Sequence, residues 1–370
     1  MNRSEYAQAG VDYTRIEPFK QQMIEIGKKT LDFSKARGVK VWDDIMHTHG
    51  AVFEYQRLLF CQTQEGLGNK NWIAEWMYKN AGTGRTYYEG IGIDTVLMAA
   101  NDNIAQGARP IIYTDEVAVG DDAWFQDEKR ATDLANSFRE GCALAGCSLP
   151  AGESPALRYL LKSEPPVSSA PSLSGCTLGI INPRKNLVTG NSLGPRDIII
   201  GAKSSGLHAN GISLVIKRAL ALSDQFLTKL PNGNTLGDEA LIPTLSYVAL
   251  IEGLQEEGVN FSALLPGTGD GIGKIAFDKR PYTYRIHSWV EVPILFQFMR
   301  ELGVSLKDCL KTFNWGIGYY LFVPRYYNIH VIIDIGRKLG YDLVEIGIVE
   351  EGERKVIFEP ENITLPPPGE

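Results

Sequence analysis

Arg57-Leu58-Leu59-Phe60-Cys61-Gln62-Thr63 reads as a strand and runs directly into Gln64-Glu65-Gly66-Leu67-Gly68-Asn69-Lys70, after which Trp72 and Trp76 fall at helical spacing. Gly66 and Gly68 therefore sit at a strand-to-helix corner. At such a corner backbone N–H groups approach a phosphate closely, the helix N-terminus adds positive potential, and a lysine just beyond supplies a full charge. The spacing is not the GxxxxGK[ST] of a Walker loop, and a tight turn carrying a surface lysine fits the same residues.

The same alternation continues on both sides. Ile16, Phe19, Met23 and Ile26 predict an amphipathic helix over 14–31 with Thr14 as its cap. Residues 32–56 lack periodicity and read as a long mobile loop containing His47 and His49. Helices are expected over 90–106 and 125–145, and strands over 110–119, 147–153 and 173–182. The serine- and proline-rich stretch 163–174 reads as a surface excursion. A loop rich in Asn, Gly and Pro, 182–195, divides the chain into domains 1–183 and 184–370. The second half predicts strands over 197–203, 282–288, 317–323, 342–349 and 355–358, and helices over 210–222, 239–256, 292–302 and 326–339. Helices interleaved with strands, some strands adjacent, define an α/β (α+β) chain of two domains.

Composition narrows the function classes. With 37 Lys+Arg against 44 Asp+Glu, the formal charge of −7 leaves no broad basic face for nucleic acid or an anionic membrane. No stretch approaches the ~20 apolar residues needed to cross a bilayer, and the N-terminus lacks the apolar core of a signal peptide, so a cytoplasmic protein acting on a small molecule is expected. Cys61, Cys142, Cys147, Cys176 and Cys309 contain no CxxC pair and read as reduced, mostly buried thiols.

Several acids stand in apolar surroundings. Asp94 and Asn101, seven residues apart on one helix, share a face, while Asp102 is turned roughly 80° away. Asp94 and Asn101 are separated by on the order of 10 Å along the axis, too far to bind one Mg²⁺ unless the helix breaks; otherwise two metal ions share a polyphosphate. Asp115 interrupts an apolar strand, and Glu153 follows the next extended segment. Ser204-Ser205-Gly206-Leu207-His208-Ala209-Asn210-Gly211 joins a strand to a helix and presents N–H groups, hydroxyls and an imidazole, a cradle for a monoester phosphate. Gly267-Thr268-Gly269-Asp270-Gly271-Ile272-Gly273 is the densest glycine loop, with one acid at its centre.

Taken in order, these segments resemble the phosphoribosylformylglycinamidine cyclo-ligases, the aminoimidazole ribonucleotide synthetases of purine synthesis. Tyr6-Ala7-Gln8-Ala9-Gly10-Val11-Asp12 is similar to the family's YxxAGVD, and Gly92-Ile93-Asp94 with Asn101-Asp102 to its GIDxxxxxxND. Gly107-Ala108-Arg109-Pro110 resembles GAxP, Ser205 to Gly211 resembles SGPHSNG, and Phe313-Asn314-Trp315-Gly316-Ile317-Gly318 resembles FNCGVG. The resemblance implies a homodimer whose N-terminal mixed sheets form a shared barrel, a C-terminal α/β sandwich, and ATP with Mg²⁺ near the subunit interface. It also implies the reaction, in which the formyl oxygen is phosphorylated, a nitrogen closes the ring and phosphate leaves.

The expected nucleotide ligands are Glu65, Gly66, Gly68, Lys70, Asp94, Asn101, Asp102, Asp115 and Glu153, with Asp94, Asp102 and Asp270 on the metal. Ser204, Ser205, Gly206, His208, Asn210 and Gly211 are expected on the substrate, and Lys70, His208 and Asp270 in catalysis. Two departures stand out. The family's GTDGVGTK reads here as Thr63 to Lys70 with Glu65 for the aspartate, and its HxTGGG reads as a GTGDG loop preceded by Leu264, Leu265 and Pro266, without the histidine. Asp270 resembles instead the SDG of thiamine-monophosphate kinases. The alternatives are therefore an ATP-dependent enzyme of the same superfamily on another phosphorylated metabolite, or a non-catalytic nucleotide-binding paralogue.

Overall fold

The computed structural model describes residues 5–43 and 49–368. The first half contains α1 (Glu5–Gln8), α2 (Tyr13–Lys28), β1 (Val39–Val41), β2 (Ala51–Tyr55), β3 (Leu58–Gly66), α3 (Lys70–Asn80), α4 (Ile91–Asn103), β4 (Arg109–Ala118), α5 (Glu128–Ala145), β5 (Ser148–Glu153) and β6 (Ser172–Ile181). The second contains β7 (Ile198–Lys203), α6 (Ile212–Ala219), α7 (Leu236–Ala240), α8 (Val248–Glu256), β8 (Ala263–Pro266), β9 (Tyr282–Ile286), α9 (Ile294–Glu301), α10 (Leu306–Thr312), β10 (Ile317–Val323), α11 (Ile329–Lys338), β11 (Leu343–Glu351), β12 (Lys355–Phe358) and β13 (Ile363–Leu365).

Strands β1 to β6 form one mixed sheet in the order β1-β2-β3-β6-β4-β5, antiparallel except for the parallel β4/β5 pair. Strands β7 to β13 form a second sheet, β13-β12-β9-β11-β7-β10-β8, antiparallel except for β9/β12. The change of sheet thus falls between Ile181 and Ile198. In β3 the alternation is clean: Leu59, Cys61 and Thr63 are buried while Gln62 and Gln64 are exposed, the mark of a sheet with one covered face. The cover is α4, packed on β3, β6 and β4 and flanked by α5. Gly92 permits that approach, since a Cβ there would lie 2.4 Å from the Phe138 backbone nitrogen. β10 is buried along its whole length. A large hydrophobic cluster runs from Leu67 through both halves to Leu365, and a smaller one gathers Val52, Leu59, Cys61, Ala108 and Ile181.

Four local expectations are corrected. Asp12, not Thr14, caps α2, accepting from the Thr14 N–H at 3.1 Å. The supposed loop 32–56 holds a 3-10 turn and the strands β1 and β2, which extend the sheet from β3; its residues 44–48, His47 among them, lie outside the described residues. The helix expected over 239–256 is broken between α7 and α8, where Pro243 cannot continue a hydrogen-bond ladder. The stretch 163–174 straps α3: Trp72 Nε1 donates to the Glu164 carbonyl at 2.8 Å, Asn71 Nδ2 donates to the Pro171 carbonyl, and Val167 is buried.

Candidate active site

Almost every residue of α4 is buried, so its polar side chains need partners inside the protein. Asp94 and Asn101, on one face as the spacing requires, hold the break between α7 and α8. Asp94 Oδ1 accepts from the Thr244 N–H at 2.8 Å and the Thr244 hydroxyl at 2.5 Å. Asn101 donates to the Leu245 carbonyl at 2.9 Å and accepts from the Tyr247 N–H at 3.0 Å. Lys70 completes the clamp, donating to Asp94 Oδ1 at 2.9 Å and to the Ile242 carbonyl at 2.7 Å, with both charged side chains 0% exposed. Burial lowers the Lys70 ammonium and raises the Asp94 carboxyl from their ordinary values, and their mutual contact opposes both shifts. Lys70, Asp94 and Asn101 are thus placed as a dry bolt between the halves rather than on an open surface.

Asp102, turned off that face, points elsewhere. Together with Glu65, Met98, Asn210, Thr268 and Gly269 it lines a cavity of about 200 Å³ between the two halves. Burial and the neighbouring Asp102 carboxylate push the Glu65 carboxyl up to about 7. Asp102 Oδ1 is buried without a hydrogen-bond partner, and its Oδ2 lies 3.5 Å from His49 Nδ1. Burial lowers the His49 imidazole, and the Lys274 ammonium lowers it further. Asp270 sits at the tip of the glycine loop with φ +60, its carboxyl raised by burial and pulled back by Lys274 and Lys20. Two close carboxylates, one with an unmatched oxygen, make a cavity that calls for a cation.

The sheet register sets Glu65 in a row that runs across the sheet. Glu65 on β3 and Asp115 on β4 both pair with Gly175 on β6, and Asp115 also pairs with Gly152 on β5. Residues directly opposite in a sheet share a face, so Glu65 and Asp115 stand on one row two strands apart, roughly 10 Å by strand spacing. Glycines stand between and beyond them, but the space over Gly175 is taken, since a Cβ there would lie 2.0 Å from the Tyr113 hydroxyl oxygen. A Cβ at Gly152 would lie 2.1 Å from Asp115 Oδ1. Glu153, one row further on, is exposed and its carboxylate accepts from the Ser154 N–H. Gly66 closes β3, and Gly68 takes φ +73 in the turn before α3.

The loop 204–211 is organised by the Phe313-Asn314-Trp315-Gly316 turn, a role for that motif that its sequence did not disclose. Asn314 Nδ2 donates to the Gly206 carbonyl at 2.7 Å, while Asn314 Oδ1 accepts from the Ser204 hydroxyl and the Gly316 N–H. Ser205 donates its hydroxyl to the Pro243 carbonyl at 2.6 Å. His208 is buried, accepts the Ser205 N–H at Nε2, and has its imidazole pushed down to about 3 by burial, so it is neutral and turned inward. Gly206, at φ +141, has open space where a side chain would stand. Asn210 reaches the cavity, its Oδ1 accepting from the Gly269 N–H at 3.2 Å. Tyr6 lies against the Gly211 backbone and near Asp270.

Asp94, Asp102 and Asp270 do not converge: among the described residues there is no group of three or more His, Cys, Asp or Glu side chains placed to hold a metal ion. Asp94 is across α4 in its clamp, and Asp270 is not among the residues that line the cavity. The sequence reading quoted Thr268 inside the densest glycine loop without giving it a role, and did not single out Lys274, which follows that loop. A larger cavity, about 290 Å³, opens between α3 and the strap; of its charged residues Glu75 and Arg130 pair with each other at 3.1 Å, the carboxylate also accepts from Tyr88 and Trp124, and Lys79 is the third.

Comparison with known proteins agrees with this architecture. Residues 60–181 match the family of AIR synthase related proteins, N-terminal domain. The phosphoribosylformylglycinamidine cyclo-ligase of Pseudothermotoga lettingae is 32% identical over 299 residues, spanning 80% of this chain and 82% of that protein. This chain belongs to the phosphoribosylformylglycinamidine cyclo-ligase family. The cyclo-ligase of Pyrococcus horikoshii is 30% identical over 97% of both chains. Among solved structures, AaThiL complexed with AMPPCP and TMP aligns over 92% of this chain and 93% of that one, with TM-score 0.59 and 14% identity. Hydrogenase maturation protein HypE in complex with ATP aligns over 74% and 77%, with TM-score 0.53 and 18% identity. These likenesses are of fold.

Proposed function

We propose that this cyclo-ligase family member is an ATP-dependent enzyme that closes the imidazole ring of formylglycinamidine ribonucleotide to give aminoimidazole ribonucleotide in purine biosynthesis. The observation that carries the reading is the Glu65–Asp102 pair, with the unmatched Asp102 Oδ1, facing the Thr268-Gly269 turn across a cavity in a chain whose relatives match it end to end. Phosphorylating the formyl oxygen converts a poor leaving group into phosphate, after which the nitrogen closes on the carbon.

The residues present fit a magnesium ion. Mg²⁺ is ordinarily bound by one or two carboxylates plus waters and substrate phosphates, and Glu65 with Asp102 supplies that number; the ion would neutralise polyphosphate charge. Asn210, by gripping the Gly269 N–H, fixes the glycine loop against the loop 204–211, whose open Gly206 backbone we assign to the substrate phosphate. His208 acts as a positioning residue, its neutral ring holding the Ser205 N–H. All six residues of β5, an edge strand, are exposed. An edge of that kind needs covering, which supports a homodimer joined along this sheet. Among the described residues no helix is long and apolar enough to cross a membrane, and the five cysteines are free, in keeping with a cytoplasmic enzyme.

A second reading has one observation behind it. Pro266 stands where the family has its histidine, and Asp270 enters the loop, as in kinases of the superfamily. A coupled assay of ADP release separates the two: turnover with formylglycinamidine ribonucleotide, with aminoimidazole product, supports the cyclo-ligase. Asp102→Asn should lower kcat by about 10²-fold or more, the scale of losing a positioned charge in the transition state. No product from the wild-type protein would overturn the assignment.

A further inference from the structure

Helix α5 ends with a glycine between two cysteines. Gly146 takes the left-handed conformation at φ +68, its N–H donates to the Ala143 carbonyl at 3.3 Å, and the Cys147 N–H donates to the Cys142 carbonyl at 3.0 Å. These two bonds are the paired closures of a Schellman ending, in which the residue after the glycine folds back on the residue five before it and their side chains meet. Here that contact sets thiol on thiol. The backbone bond also bounds the separation: a 3.0 Å N···O distance, with ordinary covalent lengths on either side, keeps the two Cα atoms within about 7 Å even when fully extended, and any bend shortens it. A disulfide spans about 4.4–6.8 Å between Cα atoms. Both thiols are free in the structure; Cys142 is 6% exposed and Cys147 is half-buried.

The other three cysteines stand elsewhere. Cys61 and Cys309 are buried, and burial pushes both thiols up to about 12. Cys176 lies in the row of Gln64, on the sheet face away from α4, with its Sγ accepting from Gln62 Nε2 at 3.1 Å. Among the described residues no three His, Cys, Asp or Glu side chains are placed to hold a metal ion, so the pair lacks the further ligands of a zinc site. The hydrogen bond between the two thiols raises Cys142 and lowers Cys147, burial opposing the second shift, and the more exposed sulfur therefore ionises first. We propose that Cys142 and Cys147 form an oxidation site, in which Cys147 is oxidised by hydrogen peroxide and Cys142 resolves the product to a disulfide across the end of α5. The Cys147 thiolate attacks one peroxide oxygen, the O–O bond breaks, and a sulfenic acid forms with release of hydroxide. The Cys142 sulfur then attacks the Cys147 sulfur. The S–S bond forms as the S–O bond breaks, and the departing hydroxide leaves as water with the Cys142 proton. Two thiols and one peroxide thus give one disulfide and two waters, with two electrons passing from sulfur to oxygen. Neither cysteine lines the cavity of Glu65 and Asp102, and the site does not depend on the nucleotide reading.

The test treats the folded full chain with a few molar equivalents of hydrogen peroxide, alkylates it in denaturant and digests it with trypsin, which releases both cysteines on one fragment, 140–158. In wild type that fragment should become about 2 Da lighter and resist alkylation, and dithiothreitol should restore it. Its loss of free thiol should run at least about tenfold ahead of that of the fragment carrying Cys176. Cys142→Ser should leave Cys147 as a sulfenic acid captured by dimedone, whereas Cys147→Ser should leave Cys142 open to alkylation after the same exposure. The wild-type measurement needs neither variant to fold. Oxidation of Cys176 ahead of the pair, dimedone capture at Cys147 in wild type to the same yield as in Cys142→Ser, or a disulfide that forms only after urea unfolds the chain would each overturn the proposal.

Discussion

Replacing Lys70 by methionine removes the ammonium from the clamp between the halves while keeping most of the side-chain volume. Asp94 would then be a carboxylate with 0% exposure, retaining the Thr244 N–H and hydroxyl but no counter-charge. Breaking a buried pair by removing one partner costs about 3–5 kcal/mol, because the charge left behind is uncompensated. Against a total stability of about 5–15 kcal/mol, that is a large fraction. At ~2–4 °C per kcal/mol for domains of this size, melting should fall by roughly 6–20 °C. The double variant Lys70→Met/Asp94→Asn removes both charges and should recover at least ~1 kcal/mol of the loss, a coupling that a double-mutant cycle in urea reads directly. Because the clamp lies behind α4 and not in the cavity, ATP affinity measured well below the melting point should stay within about threefold, the scale of a substitution remote from the ligand. A loss of stability below ~1 kcal/mol, as for an exposed pair, or a collapse of nucleotide affinity in a fully folded variant, would refute the buried-clamp reading and return Lys70 to the phosphate.

The buried His208 imidazole, pushed down to about 3, makes the folded state resist protonation that the unfolded chain accepts below its ordinary 6.5. Stability should therefore fall as pH drops below about 6.5, by up to ~1.4 kcal/mol per pH unit from this group; in urea titrations at pH 7 and pH 5, His208→Gln should show a smaller loss than wild type, and equal losses would argue against a dry imidazole. Gly107, in the GAxP segment, takes φ +76 and a Cβ there would lie 1.8 Å from the Asn186 carbonyl oxygen. Gly107→Ala should cost more than ~2 kcal/mol from backbone strain and displacement of that carbonyl, and a melting temperature within 2 °C of wild type, about the shift for less than 1 kcal/mol, would count against the geometry.

Periodicity and glycine placement made much of the fold legible. The alternation in Leu59, Cys61 and Thr63, the apolar run of β10 and the helical spacing of α4 are local properties, and each segment carries them in its own residues. The strands β1 and β2 escaped because short strands mixed with aromatic and polar residues hold too few repeats to show a period. The break between α7 and α8 was written in Pro243, but the clamp on that break was not. Asp94 and Lys70 look like ligands in sequence because a carboxylate in an apolar run must have a partner. Only the packing of α4 against segment 242–247 brings Lys70 and Thr244 to Asp94 as partners. Sequence placed Asp102 about 80° off that face. The tertiary structure turned that angle into a destination, the cavity shared with Glu65 and the glycine loop. The separation arises because residue types and local angles are inscribed along the chain, whereas a site between two sheets is made of residues some two hundred positions apart.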